Sequence, residues 1–213
     1  MRALHRPTVS SRKGVALPRA LFIGDVPVEA SLHGSALLYR LFSVIEPARL
    51  RIVETNLARS MESRRLPEVK YLCFRLGHPR PLVTRLAAYY RLFLFVRAPQ
   101  LAHKVRRLLG DFVPEAVVSV THGYAWRTAE RVARDLRVPM HLICHDDLPN
   151  TGLVPASLST WLDRRFGRAI QSATTRLCVS PAMCESYLSR YNSACRLLYP
   201  CRDNGCQSAR EPA

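Results

Sequence analysis

Three times in the second half of the chain a short apolar run ends in polar or turn residues, and a helical stretch or a loop follows. The runs are Ala116-Val117-Val118-Ser119-Val120, ending in Thr121-His122-Gly123; Val138-Pro139-Met140-His141-Leu142-Ile143-Cys144, ending in His145-Asp146-Asp147; and Thr175-Arg176-Leu177-Cys178-Val179, ending in Ser180-Pro181. Nearly continuous apolar runs alternating with helices predict a parallel sheet covered on both faces. Ligands of such sheets bind beyond the carboxyl ends of the strands. His122, His145, Asp146, Asp147 and Ser180 all fall on that rim.

The same pattern extends toward the N-terminus. Residues 19–26 (RALFIGDV) predict the first strand and 27–33 a loop. A helix follows over 34–45, with Leu37, Leu38, Leu41, Phe42, Val44 and Ile45 on one broad face. A short second strand covers 50–54, and residues 56–79 fit no single period. Residues 81–109 read as helical with a break at Pro99. Further helices are predicted over 124–136, 158–170 and 181–191, and a last short strand over 196–199. Residues 1–18 are basic and aperiodic and read as a disordered lead. The composition shifts after Pro200, and 201–213 (CRDNGCQSAREPA) reads as a disordered tail. The expected organisation is therefore one doubly wound, mostly parallel, Rossmann-like α/β domain over 19–200.

A chain of 213 residues with 48% hydrophobic content can bury a full core. Its longest central apolar stretch, Leu92 to Val96 between Arg91 and Arg97, is far below the roughly 18 residues of a spanning helix. The formal net charge is +16, from 32 Lys and Arg against 16 Asp and Glu. Only Lys13, Lys70 and Lys104 are lysines, and the arginines are spread along the whole chain. There is no RNP-like motif, zinc finger or recognition helix, so nucleic acid is not an expected partner. Residues 80–107 interleave Arg and Lys with Leu, Phe and Tyr. Such a segment lies on an anionic membrane or covers the sheet with a solvated basic face. The seven cysteines form no C-x-x-C pair and are odd in number. No disulfide framework is expected, and a reducing cytoplasm is the expected compartment, with the inner face of the membrane as the variant that the basic segment allows.

His145-Asp146-Asp147 is the sharpest candidate for chemistry. A neutral histidine there can bond a sugar hydroxyl or carry a proton, and a flanking carboxylate can orient it or act as base. The simpler reading is a strand-end turn. His122-Gly123 would sit beside it if the two strands are neighbours. Gly34-Ser35 opens the first helix, whose N-terminus suits a phosphate or a hydroxyl. There is no G-x-G-x-x-G and no P-loop sequence. Ser180-Pro181 reads as an N-cap followed by a first-turn proline, with ligand contact through the helix end as the other reading. A metal set of His141, Cys144, His145 and Asp146 is disfavoured, because strand alternation sends Cys144 to the opposite face. No metal and no cofactor are expected.

Together these residues resemble the N-terminal half of GT-B glycosyltransferases of the family 4 type. LFIGDVPVEASLHGSALLYRLF is similar to that family's opening β-loop-α unit. PEAVVSVTHGYAW is similar to its strand and His-Gly loop, VPMHLICHDD to its strand ending in His, and ATTRLCVSPAMCESYLSRY to its Val-Ser unit with a following Tyr. The resemblance implies the acceptor-side domain of an enzyme moving sugar from a nucleotide-sugar donor to a saccharide or lipid acceptor. It implies that His145 faces the donor sugar, that Gly34 lies near the donor diphosphate, and that Asp146 and Asp147 position hydroxyls. The family's C-terminal, donor-binding half has no counterpart after Pro200. The chain by itself is then expected to be weakly active or inactive, as a truncated product would be. The alternative from another class is a non-catalytic binding or scaffold protein paired with a separate donor-binding chain.

Overall fold

The computed structural model describes residues 17–31, 33–147 and 155–199. The lead through residue 16, the stretch 148–154 and residues 200–213 lie outside them. Seven strands form one sheet: β1 (Ala20–Gly24), β2 (Leu50–Thr55), β3 (Lys70–Phe74), β4 (Ala116–Val120), β5 (Met140–Cys144), β6 (Thr175–Cys178) and β7 (Arg196–Leu197). Their order is β3-β2-β1-β4-β5-β6-β7 and every pairing is parallel. The sheet thus grows outward in both directions from β1 and β4. The fold is the expected doubly wound α/β domain.

Among the described residues six α-helices lie between the strands: α1 (His33–Phe42), α2 (Ala87–Arg97), α3 (Ala102–Leu109), α4 (Ala125–Leu136), α5 (Ser159–Ser172) and α6 (Pro181–Tyr191). Strand alternation sends Leu21, Ile23, Val53, Val117, Leu142 and Cys144 to the side covered by α2 through α6. On that thick side Trp126 of α4 meets Phe95 of α2 and Phe166 of α5 edge-on, each at 5.7 Å between ring centres. Ala20, Phe22, Leu50 and Ile52 point the other way, against Leu38 and Phe42 of α1.

The two faces are unequally covered, which departs from the expectation. Among the described residues α2 through α6 lie on one side and α1 alone lies on the other. Val118, His141 and Leu177 on the thin face are only half-buried. They border an open groove of about 290 Å³ with Leu17, Pro18 and Ile45. Burial lowers the pKa of His141 within this apolar setting.

Element boundaries differ from the expectations by a few residues. The ambiguous stretch contains β3, an edge strand whose register on β2 runs from Arg51–Lys70 to Thr55–Phe74. Its residues are mostly half-buried, so it never shows the apolar run of a central strand. Pro99 sits in a 3-10 turn, Ala98–Leu101, that separates α2 from α3. Ser180 caps α6 by accepting a hydrogen bond from the Met183 amide at 3.2 Å, with Pro181 at the first helical position.

Candidate functional site

Chain direction reverses its lateral growth between β1 and β4, and a crevice opens beyond the carboxyl ends of strands at such a point. Here a cavity of about 370 Å³ lies beside it. Val26 after β1, Gly34 and Leu37 and Leu38 of α1, Val120 of β4, Ile143 and His145 of β5 and its extension, and Val179 after β6 form the wall, with His33 at the edge. Ile143 and His145 share the thin face because they are two residues apart along an extended strand. His33 holds φ of +57° at the first position of α1. Few non-glycine residues adopt that conformation, and such residues cluster at binding sites.

His122, His145 and Asp146 converge on the cavity mouth. The Nδ1 atoms of both histidines lie 3.0 Å from one oxygen, Oδ2 of Asp146. Their rings stack with centres 5.3 Å apart. Partial burial works against the charge of Asp146. The hydrogen bonds and charges of His122 and His145 outweigh it and hold the carboxyl below its ordinary range. An ionised carboxylate only accepts, so each Nδ1 carries a proton and donates it. In the neutral His145 ring the remaining nitrogen, Nε2, is then a bare lone pair. That atom is buried and has no hydrogen-bond partner among the described residues. It faces the first turn of α1, 4.0 Å from where a Cβ on Gly34 would stand.

The ligating atoms of His122, His145 and Asp146 also lie within 4.8 Å of one another, enough to hold a divalent ion. His141 and Cys144 take no part in that set. Metal-bound imidazoles donate their second N–H to an outer acceptor. Among the described residues His145 Nε2 has no such acceptor.

The remaining candidates separate. Asp147 turns away from its neighbours and pairs with Arg190 of α6 at 2.9 and 3.1 Å, beside Asp163. The expected three-residue cluster is therefore two acidic residues serving two different places. Gly34 lines the cavity, whereas Ser35 is half-buried in the first turn of α1 and off the cavity wall. The Ser180 hydroxyl is engaged in its cap, and the neighbouring Val179 reaches the cavity in its place. Gly123 has a backbone reason: its φ is +58°, and a Cβ there would come within 2.5 Å of Asp25 Oδ2.

Asp25 is the important residue that the sequence pattern did not single out. It is buried directly after β1. Its Oδ2 accepts from the amides of Tyr124 and Ala125 at 2.5 and 2.6 Å, and its Oδ1 accepts from the Thr55 hydroxyl at 2.6 Å. It thus caps α4 from nearly a hundred residues away and fixes the loop that carries His122. Burial raises its pKa, against the opposing pull of Thr55, Ala125, Tyr124 and His122. Glu54 does similar work on the β1–α1 loop. Its Oε1 accepts from the Val28 amide at 3.2 Å, and its Oε2 accepts from the amide and hydroxyl of Ser60.

No family model matches the chain, and no curated protein does. Among solved structures it is similar to CalG4, the calicheamicin glycosyltransferase, at 12% identity and a TM-score of 0.47. The similarity covers 85% of this chain and 52% of that one. The chain therefore spans about half the length of that glycosyltransferase. Among the described residues no helix is long and apolar enough to cross a membrane.

Proposed function

We propose that this domain is the acceptor side of a sugar-nucleotide-dependent glycosyltransferase and that His145 is its general base. The observation that carries the reading is the pair of nitrogens on one ring. Nδ1 is held by Asp146 at 3.0 Å, and Nε2 is buried, unpartnered and aimed into an apolar cavity. A buried polar atom without a partner is costly unless something arrives to bond it. A hydroxyl is the group that a bare imidazole nitrogen takes best. In the proposed reaction the acceptor O–H gives its proton to Nε2 as its oxygen bonds to the anomeric carbon. The bond from that carbon to the donor diphosphate breaks, and the nucleoside diphosphate leaves with the electron pair. Asp146 holds the ring orientation and stabilises the imidazolium that forms. His122 shares the same carboxylate oxygen and braces it.

Among the described residues the cavity wall carries no Lys or Arg. The positive charge needed on a departing diphosphate is accordingly assigned to a companion lobe, and this domain alone would turn over weakly or not at all. The Gly34–Ser35 end of α1 borders the side on which the diphosphate would lie.

Nitrogen-detected NMR of histidine-labelled protein tests the base assignment without needing turnover. The His145 Nε2 resonance should move on adding hydroxyl-bearing saccharides. His145→Gln should abolish that saturable response, and Gly34→Val, which fills the space before Nε2, should weaken it. A protonated Nε2, or one indifferent to a broad panel of saccharides and nucleotide sugars, would refute the reading. In membrane extract with radiolabelled nucleotide sugars, any transfer the chain supports should drop about a hundredfold or more in the His145→Gln protein.

A further inference from the structure

We propose that the outward face of α2, with the turn before it, docks on an anionic lipid bilayer. Val83, Leu86, Tyr89, Phe93 and Val96 are all large and apolar, and all lie 47–89% exposed. Their spacing of three or four residues is that of one helical stripe. Within α2, Tyr89, Phe93 and Val96 fall in an arc of roughly 60°. Leu94 and Phe95, on the opposite side, are fully buried against the core. The helix therefore satisfies the core with one face and presents a second apolar face to solvent, which a sheet-covering helix does not need.

The charge around this stripe is of one sign. From Val69 to Gly110 the sequence contains no Asp or Glu and nine Lys or Arg. Arg80 and Arg85 are exposed at the start of the stripe. Arg97 leans over the Phe93 ring at 5.6 Å, keeping its charge at the stripe's border. An apolar ridge bordered by arginines is the pattern of a helix lying in the plane of a membrane interface, where side chains enter the acyl boundary and cations meet anionic headgroups. Tyr89 suits that boundary, with an apolar ring and a polar tip.

Other side chains of α2 lie near the loop after β4. Arg91 and Tyr90 act electrostatically on the Tyr124 phenol, whose pKa is raised chiefly by burial. The Tyr124 amide is bonded to Asp25 next to the loop of His122. The corollary, that the acceptor is carried on a lipid, rests on the sugar-transfer reading; the docking itself does not.

Sedimentation of the full chain with vesicles of phosphatidylcholine, alone or mixed with phosphatidylglycerol, tests this. Binding is expected to the mixed vesicles and to be weak on phosphatidylcholine alone. Leu86→Asp with Phe93→Asp should lower binding at least about tenfold while leaving the melting temperature unchanged. Phe93→Trp should give blue-shifted emission on the mixed vesicles. Binding that survives the double substitution overturns the proposal. So does binding abolished by high salt with no emission shift, which means adsorption by the basic surface at large. Absence of vesicle binding, with self-association that the double substitution removes, would make the stripe a protein interface and overturn it as well. His145→Gln should dock normally, so failure of docking and failure of the base assignment are read separately.

Discussion

Replacing Asp25 separates the work of its hydrogen bonds from the work of its charge. Asp25→Ala leaves three buried donors without an acceptor: the Tyr124 and Ala125 amides and the Thr55 hydroxyl. Each orphaned donor costs about 1–3 kcal/mol, less where water can enter the space left behind. The sum expected is about 3–5 kcal/mol, or roughly 10 °C in melting temperature for a chain of this size. Asp25→Asn keeps the shape. Its amide oxygen can accept from both backbone N–H groups, and its NH2 can donate to Thr55 Oγ1. Only the negative charge is lost, and because burial already disfavours that charge the loss of stability should be small. Burial raises the Asp25 pKa, so the folded state holds the proton more tightly than the unfolded chain does. The stability contributed by protonation is fully present below the ordinary value near 3.8 and is lost as pH rises through the elevated value. Urea unfolding followed by circular dichroism across mildly acidic pH should show that slope in the parent protein and a flatter one in Asp25→Asn. Equal losses for the Ala and Asn proteins, or a loss below about 1 kcal/mol for Ala, would refute the assignment of Asp25 as a long-range cap.

Gly123→Ala meets both a positive φ and Asp25 Oδ2 at 2.5 Å; urea midpoints should show a loss of about 2 kcal/mol, and in the NMR titration saccharide binding should weaken as His122 shifts. Glu130 accepts from Arg127 at 3.0 Å and Arg134 at 3.1 Å, with Arg165 at 3.4 Å. Burial, reinforced by Arg165, pulls the Arg127 pKa down to about 10. Glu130→Ala strands that guanidinium and should cost about 3–5 kcal/mol in thermal unfolding, whereas Arg127→Met with Glu130→Leu should recover most of it. Chelator treatment should leave the saccharide response of His145 intact, and added Zn2+ should suppress it. The ion would displace both Nδ1 protons and convert Nε2 from an acceptor into an N–H donor; a chelator-sensitive response would instead make the ion part of the site.

The parts of this molecule that the sequence made legible are those decided locally. Residues 116–120 form a strand because five small or β-branched residues in a row suit a site buried on both sides. Ser180 caps α6 because a hydroxyl and a following proline serve any helix start. The pairing of His122 with His145 needed one further step, the adjacency of β4 and β5, which the repeated strand-helix unit implies. What remained illegible depends on groups far apart in the chain. Asp25 looks like an ordinary turn residue until the α4 amides arrive beside it. Asp147 looks like a partner of His145 until Arg190, more than forty residues away, draws it off. The amphipathic pattern of residues 83–96 fixes a period, but which of its faces meets the core is settled only by the burial of Leu94 and Phe95.

Register links the uneven sheet to the chemistry proposed for it. Along β5 and its extension, His141, Ile143 and His145 alternate onto the thin face, while Leu142 and Cys144 enter the thick core. Because the side-chain period is two, a slip of one residue would carry His145 under α4 and α5 and bring Cys144 to the cavity. The Val117–Met140 pair on the thick face and the Val120–Ile143 pair on the thin face oppose that slip, because all four residues are buried and apolar. A histidine at that rim then meets a face that only α1 covers, where Gly34 brings backbone and no side chain toward it. In the proposed reaction, the thinness of one face would leave room for an acceptor beside His145 Nε2, and the packing of the other would hold in place the strand that carries the imidazole.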